Sequence, residues 1–268
     1  MRSIIRLLGL SVCFLWLSPI EAATCRDPAG FDAWLAAFKR EAADSGISPS
    51  AIGTLDGIAY DPGIVAKDHG QHVFRQSFEQ FSGRMVNAYR LRRGASLMKQ
   101  YAATFARIEQ AYGVPAPVIV AIWGLETDFG AVSGTTPTLR ALATLAYDCR
   151  RSDMFQAELM DALRLIQRGD LSSSARGAWA GEVGQTQFMP SSYLKFAVDF
   201  DGNGRRDLIH SVPDVLASTA NFLCSYGWQR GGAWTPGSAN FAVIMEWNKA
   251  DVYARTIAYF ATRLAGGE

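Results

Sequence analysis

The chain carries almost no excess charge and few nitrogen or sulfur ligands for metals. Its 268 residues include 26 Lys and Arg against 25 Asp and Glu, a net charge of +1. Phosphate binding needs a concentrated basic face, so nucleic acid is not expected as a partner. There are three histidines and four cysteines, and none of them has zinc-ligand spacing. We expect His69 and His72, which lie three residues apart, to be surface residues rather than metal ligands.

Long apolar runs are also missing, because no run reaches the roughly 20 residues that a membrane-spanning helix needs. Near the N-terminus, residues 7–17 form an apolar run that follows two arginines and precedes the small residues of "IEAAT". This layout is typical of a secretory signal peptide, assigned to residues 1–22 with cleavage after Ala22 or Ala23. The alternative is a retained membrane anchor, for which the run is too short. We therefore expect an exported protein whose mature chain, residues 23–268, is a single domain without a membrane span.

Export would leave three cysteines in the mature chain, enough for one internal disulfide. Cys25 and Cys149 lie in polar, loop-like surroundings, "ATCRDP" and "YDCRRS". Cys224 lies in an apolar helical pattern, where a buried free cysteine is common. These surroundings favour a Cys25–Cys149 disulfide and a free Cys224.

Helical signals dominate the chain. Residues 31–44 show helical periodicity, and a long amphipathic stretch covers residues 84–112, with a predicted break at Gly94. Small polar residues and prolines mark further helix starts, such as Ser48 before Pro49 and Ser211 before a proline-containing turn.

Strand signal is sparse, and its main candidate is "NFAVIMEW", residues 240–247. There is no internal repeat and no low-complexity linker. With 49% hydrophobic residues, the composition is that of an ordinary globular protein. The sequence therefore predicts a mainly α-helical domain with a small extended element near the C-terminus.

One apolar stretch leads directly into a carboxylate. In "VIVAIWGLETDFG", residues 118–130, a helix that begins at Pro117 is apolar on every side as far as Leu125, so it should be buried. Glu126 then lies in the last turn, where loss of water and the negative end of the helix dipole disfavour its charged form. Both effects raise the pKa of the carboxyl, as a general acid working near neutral pH requires. The alternative is that Glu126 and Asp128 mark the point where the helix reaches solvent.

A second stretch, "GEVGQTQFMPSSYLKFAVDFDGNGRRD" at residues 181–207, combines a glycine-bounded turn, amide and aromatic side chains, a proline-started helix and an acidic loop. Together with "YGVPAPVIVAIWGLET" (112–127), "TLRALATLAYDCRR" (138–151) and "ANFAVIMEWNKADVYARTIAYFATRLAG" (239–266), it resembles the lytic murein transglycosylases of the membrane-bound B type. The resemblance covers nearly all of the mature chain. It implies a lysozyme-like helical domain and a periplasmic protein, which we expect to be a monomer.

The same resemblance implies a reaction on peptidoglycan glycan strands. The bond between N-acetylmuramic acid and N-acetylglucosamine would be cleaved without water, leaving a 1,6-anhydromuramic end. The glutamate of the GLET-like motif, Glu126, is implied as the single acid and base. An ordinary glycosidase needs a second carboxylate. Here the substrate's own N-acetyl group and 6-hydroxyl would replace that carboxylate and the water.

Matching positions also imply a set of residues that bind the glycan: Gln187, Phe188, Met189, Arg150, Arg151, Asn248 and Tyr253. Amides and arginines suit acetamido carbonyls, hydroxyls and carboxylates, and the other three offer apolar faces to sugar rings. The alternatives are that the Phe and Met belong to the core and that the arginine pair is a solvated surface.

Two departures from the family pattern keep another function open. Ala178 stands where relatives often have a serine, and the segment 234–240 is short. Either difference is compatible with a non-catalytic peptidoglycan-binding or scaffold protein that retains the fold.

The acidic loop "DFDGNGRRD" partly follows the EF-hand calcium pattern. Asp199, Asp201 and Asn203 occupy positions 1, 3 and 5, and Gly204 occupies position 6, where a sharp turn lets short side chains surround an ion. Position 12 is His210, which is a poor calcium ligand, so the loop is not a standard one.

The resembling family has a variant calcium loop that a later carboxylate closes. This implies Asp214 as a ligand, with Asp207 and the carbonyl of Arg205 as further contributors. The alternative is a metal-free Asp/Asn/Gly turn, which the neighbouring arginines favour. We expect one structural Ca²⁺ and no organic cofactor.

Overall fold

The computed structural model describes residues 27–70 and 76–267. The predicted signal peptide, Cys25 and His72 lie outside these residues. Within them there are thirteen α-helices and one short 3-10 helix, Pro28–Gly30. The helices are α1 Phe31–Asp44, α2 Pro49–Gly53, α3 Pro62–His69, α4 Phe78–Met85, α5 Ala88–Gln100, α6 Ala102–Tyr112, α7 Ala116–Thr127, α8 Thr138–Tyr147, α9 Ser152–Gln167, α10 Pro190–Phe196, α11 Val212–Ser225, α12 Ala239–Trp247 and α13 Asp251–Leu264.

The mainly α-helical prediction is confirmed, but the extended element is not where we expected it. Two strands of two residues each, β1 (Thr136–Pro137) and β2 (Arg176–Gly177), form an antiparallel pair. The predicted strand at 240–247 is wrong, because this segment is α12. Ser238 caps that helix by accepting a hydrogen bond from the backbone N–H of Phe241 at 3.2 Å, and the cap overrides the β propensity of the apolar run.

The predicted helix break at Gly94 is also wrong. The chain turns instead at Tyr101, between α5 and α6, and Gly94 stays inside α5. A Cβ at Gly94 would lie 3.1 Å from Val120 Cγ1 of α7 and 3.0 Å from Leu264 Cδ2 of α13. Gly94 therefore allows α5, α7 and α13 to pack closely and does not bend α5.

Helix α7 forms the centre of the core. Every residue from Val118 to Leu125 is buried, as the apolar run predicted, and the helix packs against α13, α5, α11 and α6. Pro115 caps its N-terminus, so the helix begins one residue earlier than expected. It ends where Asp128 adopts a left-handed conformation with φ of 50°.

Two further features concern the cysteines and membrane spans. Cys149 is disulfide-bonded and Cys224 is free; since Cys25 lies outside the described residues, its pairing with Cys149 stays a prediction. In the described part of the chain no single helix has the length and apolar composition of a membrane span. Helices α6 and α7 meet those criteria only as a pair, bent by 110°.

Candidate active site

A cleft of about 370 Å³ opens at the C-terminal end of α7. Its walls come from the turn 177–188, the start of α10, the ends of α11 and α12, and Glu126 of α7. The lining residues are Glu126, Ala178, Glu182, Gln187, Phe188, Met189, Ser192, Phe222, Tyr226, Glu246, Trp247 and Asn248. Segments separated by more than a hundred residues in the sequence thus meet around one glutamate.

Glu126 is partly exposed to this cleft and is held by two neutral donors. Trp247 Nε1 donates a hydrogen bond to Glu126 Oε1 at 2.8 Å, and the Tyr253 hydroxyl donates a second bond to the carboxylate. The pKa of Glu126 is raised to about 7 in total. Loss of water is the largest cause and raises it, the two donors lower it, and the charge of Glu182 raises it. The group can therefore give up and take back a proton near neutral pH.

The second carboxylate of the "ETD" motif faces elsewhere. Asp128, Phe129 and Gly130 all have positive φ values, which reverses the chain directly after α7. Asp128 Oδ1 accepts a hydrogen bond from Arg90 Nε at 2.5 Å, and Asp128 does not line the cleft around Glu126. The structure thus separates the two acids, leaving Glu126 in the cleft and Asp128 in an ion pair with α5.

The turn 177–188 is held rigidly against the end of α7. Thr127 Oγ1 donates to the carbonyl of Gln185 at 2.5 Å, while Val183 and Phe188 exchange backbone hydrogen bonds at 2.9 and 3.0 Å. A Cβ at Gly184 would lie 2.4 Å from the carbonyl oxygen of Leu208, so only glycine fits there. This turn fixes the direction in which its side chains enter the cleft.

Most residues that the resemblance assigned to glycan binding lie in this cleft. Gln187 Nε2 donates to the carbonyls of Gly184, at 2.8 Å, and Ser133, at 3.3 Å, which orients the side-chain amide. Met189 caps α10 and Asn248 caps α12, and both line the cleft.

The aromatic members of the set have mixed positions. Phe188 is buried and packs edge-on against Trp247, with ring centroids 5.3 Å apart, so it forms the cleft wall and the core at once. Tyr253 is also buried and contacts Glu126 through its hydroxyl.

The structure does not bring Arg150 and Arg151 into the cleft lining. Both bind the buried carboxylate of Asp68 on α3, Arg150 through Nε at 2.6 Å and both through Nη2. Burial raises the pKa of Asp68, but the two guanidinium groups outweigh it and hold the pKa below its ordinary value. Asp68 also lies close to His69 and Asp148 in a group with metal-ligand geometry, where the two arginines oppose a cation. A role of Arg150 and Arg151 in glycan binding stays a prediction.

Sequence patterns did not identify two cleft residues that act on Glu126, Trp247 and Glu182. Trp247 directly precedes Asn248 in the matched stretch, but its role as a donor to Glu126 depends on a contact across 121 positions. Glu182 lies between Gly181 and Gly184 in the turn, and an acidic residue between two glycines was the only hint in the sequence of its position in the cleft. Neither contact follows from local pattern, because both require the fold.

The acidic loop brings three carboxylates together. Oxygens of Asp199, Asp201 and Asp214 lie within 4.8 Å of one another. Asp199 accepts the backbone N–H groups of Gly202, Asn203 and Gly204 at 2.8 to 3.0 Å, as in a tight acidic turn. Asp214 is fully buried at the start of α11, and burial raises the pKa of its carboxyl. Three close acidic groups of this kind suit a hard cation with oxygen ligands.

The remaining predicted ligands lie differently. Asn203 Oδ1 accepts the N–H of Arg205 at 2.9 Å, next to the three carboxylates. Asp207 Oδ1 instead accepts the N–H groups of Ile209 and His210 at 3.0 and 2.9 Å, and Asp207 is outside the group of three. The three-carboxylate group therefore fits a cation better than the full predicted set does.

Comparisons with known proteins agree with this architecture. Residues 30–238 match the transglycosylase SLT domain. Membrane-bound lytic murein transglycosylase B of Escherichia coli K12 is 38% identical over 154 residues, which cover 57% of this chain and 42% of that protein. The matched part thus spans less than half the length of this relative.

Solved structures give the wider match. SltB3 from Pseudomonas aeruginosa, solved with NAG-NAM-pentapeptide and with NAG-anhNAM-pentapeptide, has a TM-score of 0.84 and 30% identity, and the match covers 88% of this chain and 80% of that one. The Escherichia coli lytic transglycosylase Slt35, solved with calcium, has a TM-score of 0.77 at 24% identity, covering 86% and 92%. These matches confirm the predicted fold class.

Proposed function

Because the chain belongs to the transglycosylase SLT domain family, we propose that it is a lytic transglycosylase that cleaves peptidoglycan without water. The bond broken is the β-1,4 bond between N-acetylmuramic acid and N-acetylglucosamine, and the product carries a 1,6-anhydromuramic end. One observation carries this proposal: Glu126 lies in the cleft at the end of the buried helix α7, and its pKa is raised to about 7. The complexes of SltB3 with NAG-NAM-pentapeptide and with NAG-anhNAM-pentapeptide support peptidoglycan as the substrate class.

Glu126 acts first as an acid. Its protonated carboxyl donates the proton to the glycosidic oxygen, the bond from that oxygen to C1 of the muramic acid breaks, and the N-acetylglucosamine leaves with a free 4-hydroxyl. The substrate's N-acetyl group stabilises the positive charge at C1. Trp247 and Tyr253 donate hydrogen bonds to the newly formed carboxylate, which stabilises the anion once it exists.

Glu126 then acts as a base. Its carboxylate takes the proton of the muramic 6-hydroxyl while that oxygen bonds to C1, so the acid is restored and no water is consumed. The second carboxylate of an ordinary glycosidase activates water or attacks C1. This route needs neither step.

The other cleft residues bind and orient the glycan. The amides of Gln187 and Asn248 hydrogen-bond acetamido groups and hydroxyls, and Phe188 and Met189 present apolar faces to sugar rings. All four line the cleft with Glu126.

We further propose a structural Ca²⁺ at the acidic loop. Asp199, Asp201 and Asp214 would hold it, since their carboxylate oxygens already lie within 4.8 Å of one another. The amide of Asn203 and the carbonyl of Arg205 would be further ligands. A bound Ca²⁺ supplies positive charge that offsets the repulsion between these carboxylates.

The loop reaches the cleft through backbone contacts. The N–H of Gln185 donates to the carbonyl of Leu208 at 2.9 Å, and Gln185 Nε2 donates to the carbonyl of Ile209 at 3.0 Å. Ordering the loop therefore supports the turn that carries Gln187 and Phe188.

Export to the periplasm, where peptidoglycan lies, completes the proposal. The N-terminal pattern of residues 1–22 supports a cleaved signal peptide, and the bonded Cys149 supports an oxidising compartment. We also propose that the mature chain acts as a monomer.

The test is digestion of purified sacculi by the mature protein, with Glu126→Gln as the matched inactive variant. Release of soluble muropeptides by the parent but not by the variant supports the proposal. Ala178 lines the cleft at the position where relatives often have a serine, and this favours a non-catalytic binding protein as the second candidate. Binding of both proteins to sacculi without soluble products would establish that second function.

A further inference from the structure

The cleft holds a second carboxylate that the proposed reaction does not use. Glu182 lines the cleft together with Glu126. Its carboxylate accepts hydrogen bonds from its own backbone N–H and from that of Ala180, but its Oε2 is buried without a hydrogen-bond partner among the described residues. Burying an oxygen without a hydrogen-bond partner destabilises the fold, so its burial beside the cleft calls for a physical reason.

The backbone prevents Glu182 from turning away. Its carbonyl accepts the N–H of Ala178 at 3.0 Å, and the next residue, Val183, is paired with Phe188. A Cβ at Gly177 would lie 1.8 Å from the carbonyl oxygen of Glu182, so this tight packing requires glycine. The position of Glu182 is therefore set by the turn and not by solvent.

Arg151 and the backbone donors oppose the effect of burial on Glu182. Burial is the largest cause and raises the pKa of Glu182 above its ordinary value, the backbone donors and the positive charge of Arg151 act in the opposite direction, and Glu158 adds to the rise. Arg151 Nε is itself buried without a hydrogen-bond partner in the described part of the chain. Arg151 thus lies between the carboxylate of Asp68, which it binds, and that of Glu182, on which its charge acts.

Among the residues that the structure describes, no cation acts on Glu126 in this way. It faces the neutral donors Trp247 from α12 and Tyr253 from α13, and the charge of Glu182 from the turn. Arg90 of α5 acts on Tyr253 but pairs with Asp128. Two carboxylates that share a cleft do not both ionise easily, so the one with the cation ionises first.

We propose that Glu182 is a positioning residue whose fixed negative charge keeps Glu126 protonated until the glycosidic bond breaks. In this proposal Glu182 acts through Glu126 and not by contact with the reacting atoms. The proposal rests on the proposed function for its consequence in catalysis. The coupling between the two carboxylates can be measured without any reaction.

The experiment uses the mature protein with Glu182→Gln, which keeps the shape of the side chain and removes its charge. Carbon NMR of the glutamate carboxyls, with the Glu126 signal assigned from its loss in Glu126→Gln, follows the titration directly. The pH dependence of kcat/KM on soluble glycan strands is measured in parallel. Glu182→Asp keeps the charge, and Glu246→Gln removes a different cleft carboxylate that pairs with Lys249.

In Glu182→Gln we expect Glu126 to titrate at lower pH, because a like charge that disfavoured its anion is gone. The alkaline limb of kcat/KM moves down with it, giving roughly a threefold or larger loss on that limb and little change at acidic pH. In Glu182→Asp, Glu126 should titrate close to its parental pH, and in Glu246→Gln its titration should be unchanged.

Other outcomes separate the two proposals. An unchanged Glu126 titration in folded Glu182→Gln overturns the positioning role, as does loss of kcat at every pH without a shift in that titration. A lowered titration with an unmoved kcat/KM profile supports the coupling but contradicts Glu126 as the acid. Should Glu182→Gln fail to fold, Glu182→Asp decides, since a charge-retaining variant with an altered titration contradicts a purely electrostatic role.

Discussion

At the scale of single residues, the chemistry depends on a balance around Glu126. Burial raises its pKa, the donors Trp247 and Tyr253 lower it, and the charge of Glu182 raises it, with a net value of about 7. The same carboxyl is therefore a usable acid before bond cleavage and a usable base after it. The apolar run of α7 made the burial predictable, but the donors and the second carboxylate come from distant segments.

Glu126→Gln is expected to lose activity while keeping its fold. The amide preserves size and polarity but has no proton to transfer, so turnover on glycan strands should fall by at least about 10²- to 10⁴-fold. Binding to peptidoglycan should persist, as measured by sedimentation with sacculi.

Asp128→Asn is the matched control for that variant. Asp128 pairs with Arg90 and does not line the cleft, so this variant should retain most of the activity. An inactive Asp128→Asn beside an active Glu126→Gln would mean that the wrong carboxylate has been assigned.

The stability of Glu126→Gln should depend on pH relative to the parent. The folded pKa of about 7 lies above the ordinary value of 4.5, so the folded parent binds this proton more tightly than the unfolded chain does. That contribution is complete below about pH 4.5 and is lost as the pH rises through about 7. As the pH rises through this window, the melting temperature of the variant should therefore increase relative to that of the parent. A difference between the two melting temperatures that stays the same at every pH would contradict the raised pKa.

At the scale of elements, caps and glycines explain where the sequence analysis succeeded and failed. Ser48 and Ser211 were predicted as helix starts and do cap α2 and α11. Residues 240–247 have the β-branched and aromatic composition of a strand, but the cap at Ser238 starts a helix there. Gly94 shows why a glycine is ambiguous, because a glycine that permits close packing and one that ends a helix look alike in sequence.

Gly94→Ala should destabilise the protein. The added methyl group meets Val120 and Leu264 at 3.0 to 3.1 Å, and overpacking of this kind costs about 1–3 kcal/mol. Gly83→Ala in α4 is the matched control, since nothing lies within 4 Å of its Cβ. It should be neutral or stabilising by up to about 1 kcal/mol. Chemical denaturation measures both changes, and an equally stable Gly94→Ala would contradict the packing argument.

Calcium should stabilise the acidic loop. After treatment with a chelator, millimolar Ca²⁺ should raise the melting temperature, because a ligand bound only by the native state adds about 2.7 kcal/mol at a hundredfold excess over Kd. Exchanging both Asp199 and Asp201 for Asn should abolish the rise, whereas Asp207→Asn should keep most of it, since Asp207 lies outside the carboxylate group. No rise in the parent would favour a metal-free turn.

At the scale of the whole molecule, the cleft is assembled from parts that the sequence keeps far apart. Glu126 ends α7, the turn 177–188 adds Glu182 and Gln187, and Trp247 ends α12. The helical class could be predicted from periodicity and capping signals along the chain, and the central acid from the apolar run together with the family resemblance. The binding of Arg150 and Arg151 to Asp68 could not be predicted, because the ion pair joins residues 82 and 83 positions apart.

The central claim is that the substrate's own 6-hydroxyl, and not water, attacks C1 when Glu126 cleaves the glycan. The most direct test is digestion of sacculi by the mature protein in water enriched in the heavy isotope of oxygen, followed by mass spectrometry of the soluble muropeptides. The account predicts anhydromuropeptides that are lighter by one water than hydrolysis products and carry no heavy oxygen at C1 of muramic acid. Muropeptides with a reducing muramic end labelled by the solvent, as the main product, would contradict it.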